Sequence, residues 1–292
     1  MVEKGSSPAW AWFDGRLTAF SDARVPIEDR GLQFGESLYE VVAVVGGEPF
    51  RLPDHVERMM AGARELGIES GVPDLSKWKA VVAQLYRREP HRTAVLYAQL
   101  TGGAAPRRHL PPERPKPLFV AYLRQYTFPM PSETARGVAA VTYPDTRWQR
   151  RDLKTTMLLP AVIAKKAALA HGAEEAILIG QDGFLNEGAS STVFAVRDRV
   201  VTTPPTTQRV LPGVSTKAVQ SICDQLGIEF AFRPLTLTDL HKSGELFVAS
   251  TTILLMPIVR LDGTPVGTGA PGSTTLQLAY HFQRNFWGQP GP

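Results

Sequence analysis

The chain has 292 residues, 43% of them hydrophobic, which is more than one ordinary core needs and enough for two. Its 32 basic and 28 acidic residues leave a net charge of +4 scattered along the chain, without the long basic run of a nucleic-acid or membrane-surface binder. A single cysteine, Cys223, excludes an intrachain disulfide and any multi-cysteine metal site, and sets the cytoplasm as the expected compartment.

The first residues lack the apolar core of a signal peptide, and those before Trp10 read as a mobile extension. Trp10 to Phe13 and Arg16 to Ala19 form an expected hairpin, because Asp14-Gly15 supplies the positive φ angles of a tight turn. Ser37 to Val45 is β-branched enough for a strand, and Gly46-Gly47 turns it into Pro49 to Leu52. A helix capped by Asp54 and stopped by Gly67 follows, then another from Ser76 to Arg87. Thr93 to Leu100 and Pro117 to Leu123 read as buried strands around a long loop rich in Gly, Pro and Arg.

Residues 125–134, with Pro129, Pro131 and Ser132, have a linker's composition. The expected division is therefore a domain over 1–124, a linker over 125–134 and a second domain over 135–292. In the second, Gly137 to Thr142 is a strand, Met157 to His171 an alanine-rich helix ended by Gly172, and Ala176 to Leu185 a hairpin turning on Asp182-Gly183. Strands at Thr192 to Val196, Val200 to Thr203, Phe230 to Pro234 and Leu246 to Ala249 alternate with helices at Ser215 to Leu226 and Thr275 to Phe286. No run of about 18 apolar residues is present, so no membrane span is expected. The six histidines never fall at the i, i+4 spacing of a zinc helix, and no metal is expected.

Lys154 lies between Leu153 and Met157 at the start of the expected alanine-rich helix. An amine held there out of water is the neutral nucleophile that attack on an aldehyde requires, although spacing alone favours a solvated lysine before a helix. Leu211 to Thr216 opens a helix, where amides and two hydroxyls favour a phosphate; an ordinary Ser215 N-cap gives the same pattern. Ser250-Thr251-Thr252 is a second hydroxyl cluster. Glu187 follows a strand, placed either to pair with a ring nitrogen or simply to sit in an exposed turn. Arg107 and His109 offer a carboxylate clamp, or a solvated basic loop.

The order of these segments resembles the class IV (fold type IV) pyridoxal phosphate (PLP) aminotransferases over nearly the whole chain. The resemblance rests on Asp29 to Gly35, Leu38 to Val42, His55-Val56-Glu57-Arg58, Asp152 to Thr155, Asn186-Glu187-Gly188 with Ser190-Ser191, Leu211 to Ser215, and Ser250 to Thr252. It implies an α/β (α+β) fold of two domains, a smaller N-terminal one and a larger C-terminal one carrying the lysine, with the cofactor in the cleft between them. It further implies that Lys154 is the Schiff-base lysine and proton shuttle, that Glu187 faces the pyridine nitrogen, and that Arg58 grips the phosphate. Val214, Ser215, Ser250 and Thr251 complete the phosphate site in this scheme, with Leu211 under the ring.

Tyr39 to Val42 together with Pro106 to His109 looks like the D-amino acid aminotransferases within that family. That likeness implies that Tyr39, Arg107 and His109 trap the substrate's α-carboxylate, with Tyr97 and Thr252 in the substrate pocket. Thr192 stands where an asparagine is common. Gly102 replaces a frequent arginine, which is expected to loosen the clamp loop and broaden the pocket toward (R)-primary amines. The implied reaction is ping-pong transfer between a D-amino acid and 2-oxoglutarate or pyruvate by a homodimer. An aminodeoxychorismate lyase or a branched-chain L-amino acid aminotransferase is the alternative on the same scaffold, and a non-catalytic basic module is a distant third.

Overall fold

The computed structural model describes residues 7–288, so most of the expected N-terminal extension lies outside the described residues. The Asp14-Gly15 turn, with φ of 47° and 82°, joins β1 (Trp10–Phe13) to β2 (Arg16–Ala19) in the register that two left-handed residues impose. α1 (Arg30–Phe34), not anticipated from periodicity, is capped by the Asp29 carboxylate, which accepts from the Gly31 and Leu32 amides. β3 (Ser37–Val45) turns through Gly46-Gly47 into β4 (Glu48–Pro49).

α2 (Leu52–Leu66) starts two residues before the Asp54 cap expected for it, because Arg51 adopts the left-handed conformation and Pro53 occupies the first turn. Asp54 instead accepts from Arg51 Nε at 2.8 Å. α3 (Leu75–Arg88) is capped by Asp74. β5 (Thr93–Thr101) and β6 (Leu118–Gln125) complete a six-stranded antiparallel sheet in the order β2-β1-β6-β5-β3-β4. Alternation along β3 turns Leu38, Glu40, Val42 and Val44 toward the face covered by Met59 and Ala63 of α2 and Trp78, Val81 and Leu85 of α3. Tyr39 lies on the opposite face.

The second unit is built on a mixed sheet in the order β12-β11-β10-β13-β14-β7-β8-β9, with β15 on β14. In chain order these are α4 (Pro131–Thr134), β7 (Val138–Pro144), α5 (Leu159–Ala170), β8 (Glu175–Ile179), β9 (Leu185–Gly188), β10 (Thr192–Arg197) and β11 (Val200–Thr203). There follow α6 (Val214–Leu226), β12 (Phe230–Phe232), α7 (Leu237–His241), β13 (Glu245–Ser250), β14 (Leu254–Leu261), β15 (Thr264–Pro265) and α8 (Ser273–Trp287). Its main core joins Ile177, Val193, Leu246, Val248 and Ile258 from the central strands.

The chain divides into two compact units, the first running to Thr127 and including Leu153–Met157, the second comprising Phe128–Asp152 and everything from Leu158 onward. Two expectations change accordingly. Residues 128–134 belong to the second unit, since Phe128 packs edge-on against Phe286 and Gln283 donates to Thr134 Oγ1 at 3.1 Å. The lysine segment groups with the first unit: Leu153 enters its core, Thr155 bridges Leu38, and the Tyr39 amide donates to the Lys154 carbonyl at 3.0 Å. α5 correspondingly begins at Leu159, not Met157, with Pro160 in its first turn, so Lys154 lies ahead of the helix and outside it.

Candidate active site

In the first unit the Lys154 amine lies 4.5 Å from the centroid of the Tyr39 ring, a cation–π approach. Tyr39 stacks on Tyr97, and Tyr97 on Tyr122, at centroid distances of 5.9 and 5.3 Å. The strand register explains the row, for Tyr97 is paired directly with Tyr122 on β6 and with Val41, two residues from Tyr39, on β3. Burial pushes the Tyr97 phenol well above its ordinary range, with Tyr122 and Tyr39 adding to the rise. It donates to Gln99 Oε1 at 2.8 Å.

On the helix-covered face of the same strand, Glu40 is fully buried and held by two residues of α2. Arg58 donates from Nε and Nη2 to its two oxygens at 2.8 and 2.7 Å, and His55 Nδ1 lies 2.6 Å from Oε2. Burial by itself raises the Glu40 pKa, but the charge and hydrogen bonds of Arg58, aided by His55, hold it at about 2. Burial drives His55 the other way, below its usual value, and Glu40 offsets this only in part. The residue expected to grip a phosphate is thus anchored through a carboxylate for which the sequence had offered no role.

Arg107 and His109 are exposed on the loop between β5 and β6 and gather around one ring: Arg107 Cζ is 5.1 Å from the Phe34 centroid, and the His109 ring is 5.7 Å from it. Their ring contacts are with Phe34, not with Tyr39. Among the described residues Arg107 has no carboxylate partner. Gly102 is buried on ordinary backbone, and a Cβ there would meet Glu36 Oε1 at 2.5 Å, so the glycine leaves room for that side chain.

In the second unit Glu187 is buried near the end of β9, not exposed in a turn. Arg147 Nη1 donates to its Oε1, and the Leu211 amide lies 3.3 Å from Oε2. Arg147 is fixed in turn by two bonds to Asp145, at 2.9 Å from Nε and 2.8 Å from Nη2, and Asn186 donates to the same carboxylate at 2.9 Å. Burial opposes the charge on both, but their mutual attraction lowers the pKa of Asp145 and raises that of Arg147. A groove of about 1480 Å³ borders this network at Asp145, Arg147 and Asn186, and none of the expected site residues lines it.

The N-cap of α6 is Gly213, not Ser215, which occupies the second helical position. Helix geometry leaves the Val214 and Ser215 amides without intrahelical acceptors. A Cβ on Gly213 would lie 2.7 Å from Thr216 Oγ1 and 2.9 Å from Thr192 Oγ1, so only glycine lets this turn close over the two hydroxyls. Thr216 donates to Thr192 Oγ1 at 3.3 Å, which gives Thr192 a contact in the cradle itself. α6 packs on β13, whose last residue, Ser250, opens the turn through Thr251 and Thr252; Ser250 Oγ and Thr252 Oγ1 are 3.4 Å apart. Unsatisfied amides, clustered hydroxyls and a glycine cradle fit a phosphate ester, and the buried, doubly anchored Glu187 fits a protonated ring nitrogen. Ser190 and Ser191 serve a different purpose, both donating to Glu175 Oε2.

The chain resembles D-alanine aminotransferase of Bacillus licheniformis, 37% identical over 276 residues, covering 94% of this chain and 95% of that protein. The same enzyme of Staphylococcus epidermidis is 34% identical over 274 residues, covering 94% and 96%. Among solved structures, the branched-chain aminotransferase of the thermophilic archaeon Thermoproteus uzoniensis, determined with norvaline, superposes with a TM-score of 0.85 at 24% identity, covering 96% of this chain and 95% of that one. That likeness shows a shared fold. With residues 37–261 matching the family model for amino-transferase class IV, the chain belongs to the class IV aminotransferases.

Proposed function

We propose that this aminotransferase moves the amino group of a D-amino acid of the D-alanine or D-glutamate type to 2-oxoglutarate or pyruvate in two half-reactions. The observation that carries the reading is the pairing of Arg107 with His109 on one ring, with no carboxylate among the described residues to neutralise the arginine. A guanidinium so placed matches the two oxygens of a substrate carboxylate, and the D-alanine aminotransferase relatives support the choice of substrate.

Lys154 Nζ, Arg58, Glu187, Leu211, Val214, Ser215, Ser250 and Thr251 would hold PLP. When bound, PLP supplies an aldehyde carbon and an electron-withdrawing ring. Lys154 Nζ would take up the proton from the donor's Cα and hold it for return, acting as both base and acid. Tyr39, whose ring the amine overlies, keeps it in place and shields it from water. Glu187, oriented by Arg147 and the Leu211 amide, faces the ring nitrogen. Arg107, His109 and Tyr39 fix the carboxylate and so decide which face of Cα meets the lysine, with Tyr97 and Thr252 bounding the substrate's remaining space.

Two further parts belong to this reading. The enzyme acts as a homodimer, supported by the exposed apolar residues Leu159, Val162, Ile163 and Leu169 of α5, and in the cytoplasm, for which the single cysteine is the support. No helix among the described residues is long and apolar enough to cross a membrane.

The test is the visible absorption of the purified holoenzyme before and after adding D-alanine, L-leucine or (R)-1-phenylethylamine separately. Bleaching by D-alanine and not by L-leucine is expected, and a response to the amine would add a broadened pocket. L-leucine alone bleaching the band would transfer the assignment to the branched-chain alternative, and no band with added PLP would remove the cofactor assignment. Lys154→Ala should lower kcat by on the order of 10⁴-fold or more.

A further inference from the structure

Arg30 is 3% exposed, and its guanidinium is spent entirely on the loop that carries Arg107 and His109 and on one carboxylate. Nη1 donates to the Arg108 carbonyl at 2.7 Å, Nη2 to the His109 carbonyl at 3.1 Å, and Nε to Glu36 Oε2 at 2.7 Å. The two carbonyls belong to the residues directly after Arg107, so the fork fixes the backbone on which both clamp side chains stand. Arg30 Cζ is also 4.9 Å from the centroid of Phe34, the ring that Arg107 and His109 share. Its own amide donates to the Gly103 carbonyl at the start of the same loop at 2.9 Å, and next to it the Asp29 carboxylate accepts from Thr101 Oγ1, at the end of β5, at 2.6 Å.

Glu36 holds Arg30 from the other side. Its Oε1 is buried without a hydrogen-bond partner among the described residues and faces Gly102, where an added Cβ would lie 2.5 Å away. Any side chain at 102 therefore pushes the carboxylate off its position, and with it the guanidinium.

We propose that Arg30 is the positioning residue of the carboxylate clamp, held by Glu36 in the space Gly102 leaves, and that affinity for carboxylate-bearing donors is set through it. The inference rests on the reading of Arg107 and His109 as that clamp. Neither Arg30 nor Glu36 touches substrate in this scheme; they act by fixing the loop.

The experiment is a double-mutant cycle on the holoenzyme with D-alanine as donor, measuring KM and kcat separately for Arg30→Gln, Arg107→Ala and the pair. Arg30→Gln should raise KM about tenfold with kcat within about twofold, because ground-state anchoring is loosened while the lysine chemistry is untouched. Arg30→Lys should not rescue it, since an ammonium cannot reproduce three donors in a fixed fork. The double variant should be no worse than Arg107→Ala alone. An unchanged KM in Arg30→Gln, or losses that multiply in the pair, overturns the proposal while leaving the clamp standing. Arg107→Ala without effect overturns the clamp reading and this inference together. Should Arg30→Gln fail to accumulate as holoenzyme, Gly102→Ala carries the test: its methyl group displaces Glu36 with both charges intact, and a KM no higher than wild type would overturn the proposal.

Discussion

A glutamate on the helix-covered face of a strand is unfavourable unless its charge is matched, and Glu40 is matched twice by α2, at the i and i+3 positions His55 and Arg58. Glu40 and His55 both titrate below their ordinary values in the folded chain, so both make the fold acid-labile. The sign follows from which state binds more protons. Below about pH 6.5 the unfolded chain protonates His55 before the folded one does; below 4.5 it protonates Glu40, while the folded form holds out to about 2. The contribution of these two groups is therefore full above pH 6.5, falls first through His55, and loses on the order of 3 kcal/mol more between 4.5 and 2 through Glu40. Urea midpoints measured across that range check the order. In Glu40→Gln the Arg58 guanidinium loses its buried counter-charge, at a cost of roughly 3–5 kcal/mol at pH 7, and the 4.5-to-2 part of the profile should flatten. A variant profile parallel to wild type would mean that the pair does not carry the acid dependence.

At the scale of elements, the first turn of α6 is where backbone shape decides ligand chemistry. Gly213 has φ of −70°, so alanine suits its backbone, and the whole effect of Gly213→Ala comes from a methyl group pressed against Thr216 and Thr192. The affinity of the apoenzyme for PLP should drop about tenfold, near 1.4 kcal/mol, whereas pyridoxal lacking the phosphate should bind as before. Titration of both by absorbance gives the comparison, and equal losses would show that this turn does not receive a phosphate. Elements announced by local chemistry were legible in the sequence: the Asp14-Gly15 hairpin, β3 with its glycine turn, and the Gly67 stop of α2 all follow from residues within a few positions. What escaped depends on distant partners. Glu40 reads as a mere break in an apolar strand until α2 brings Arg58 from 18 residues away. Nothing close to Arg147 in the sequence announces its role until Glu187 arrives from 40 residues further on. Arg30 meets its carbonyls 78 and 79 residues along. Lys154 stands out in the sequence by its neighbours, but its allegiance to β3 is hidden there, because the short segment Leu153–Met157 has no compositional signature of the unit it joins.

For the molecule as a whole, two surfaces are unaccounted for by a lone chain. α5 buries Ala161, Ala164 and Ala168, the last two in a small core with Ala176 and Leu178 of β8, while Leu159, Val162 and Ile163 stand exposed at i, i+3 and i+4. The clamp loop is also exposed, with Leu110 82% accessible beside His109. Two-fold pairing would cover such surfaces and let each loop serve its neighbour's site. Mixing subunits separates that arrangement from one in which each chain serves itself. If Arg107 acts across the interface, a hybrid of a Lys154→Ala subunit with an Arg107→Ala subunit keeps one complete site, since the intact lysine of one chain meets the intact arginine of the other. Assayed with D-alanine well below the wild-type KM, where Arg107→Ala turns over little, random reassociation of the two variants should then restore about a quarter of wild-type activity, half the dimers being hybrid with one working site in two. If Arg107 serves its own chain, every site in the hybrid lacks one residue and the mixture shows no gain over the separate variants. Adding Leu159→Glu and Ile163→Glu to both variants places like charges at the apolar face of α5. This should halve the sedimenting mass and abolish the complementation, and recovery that survives in a monomeric species would exclude an exchange of loops between subunits.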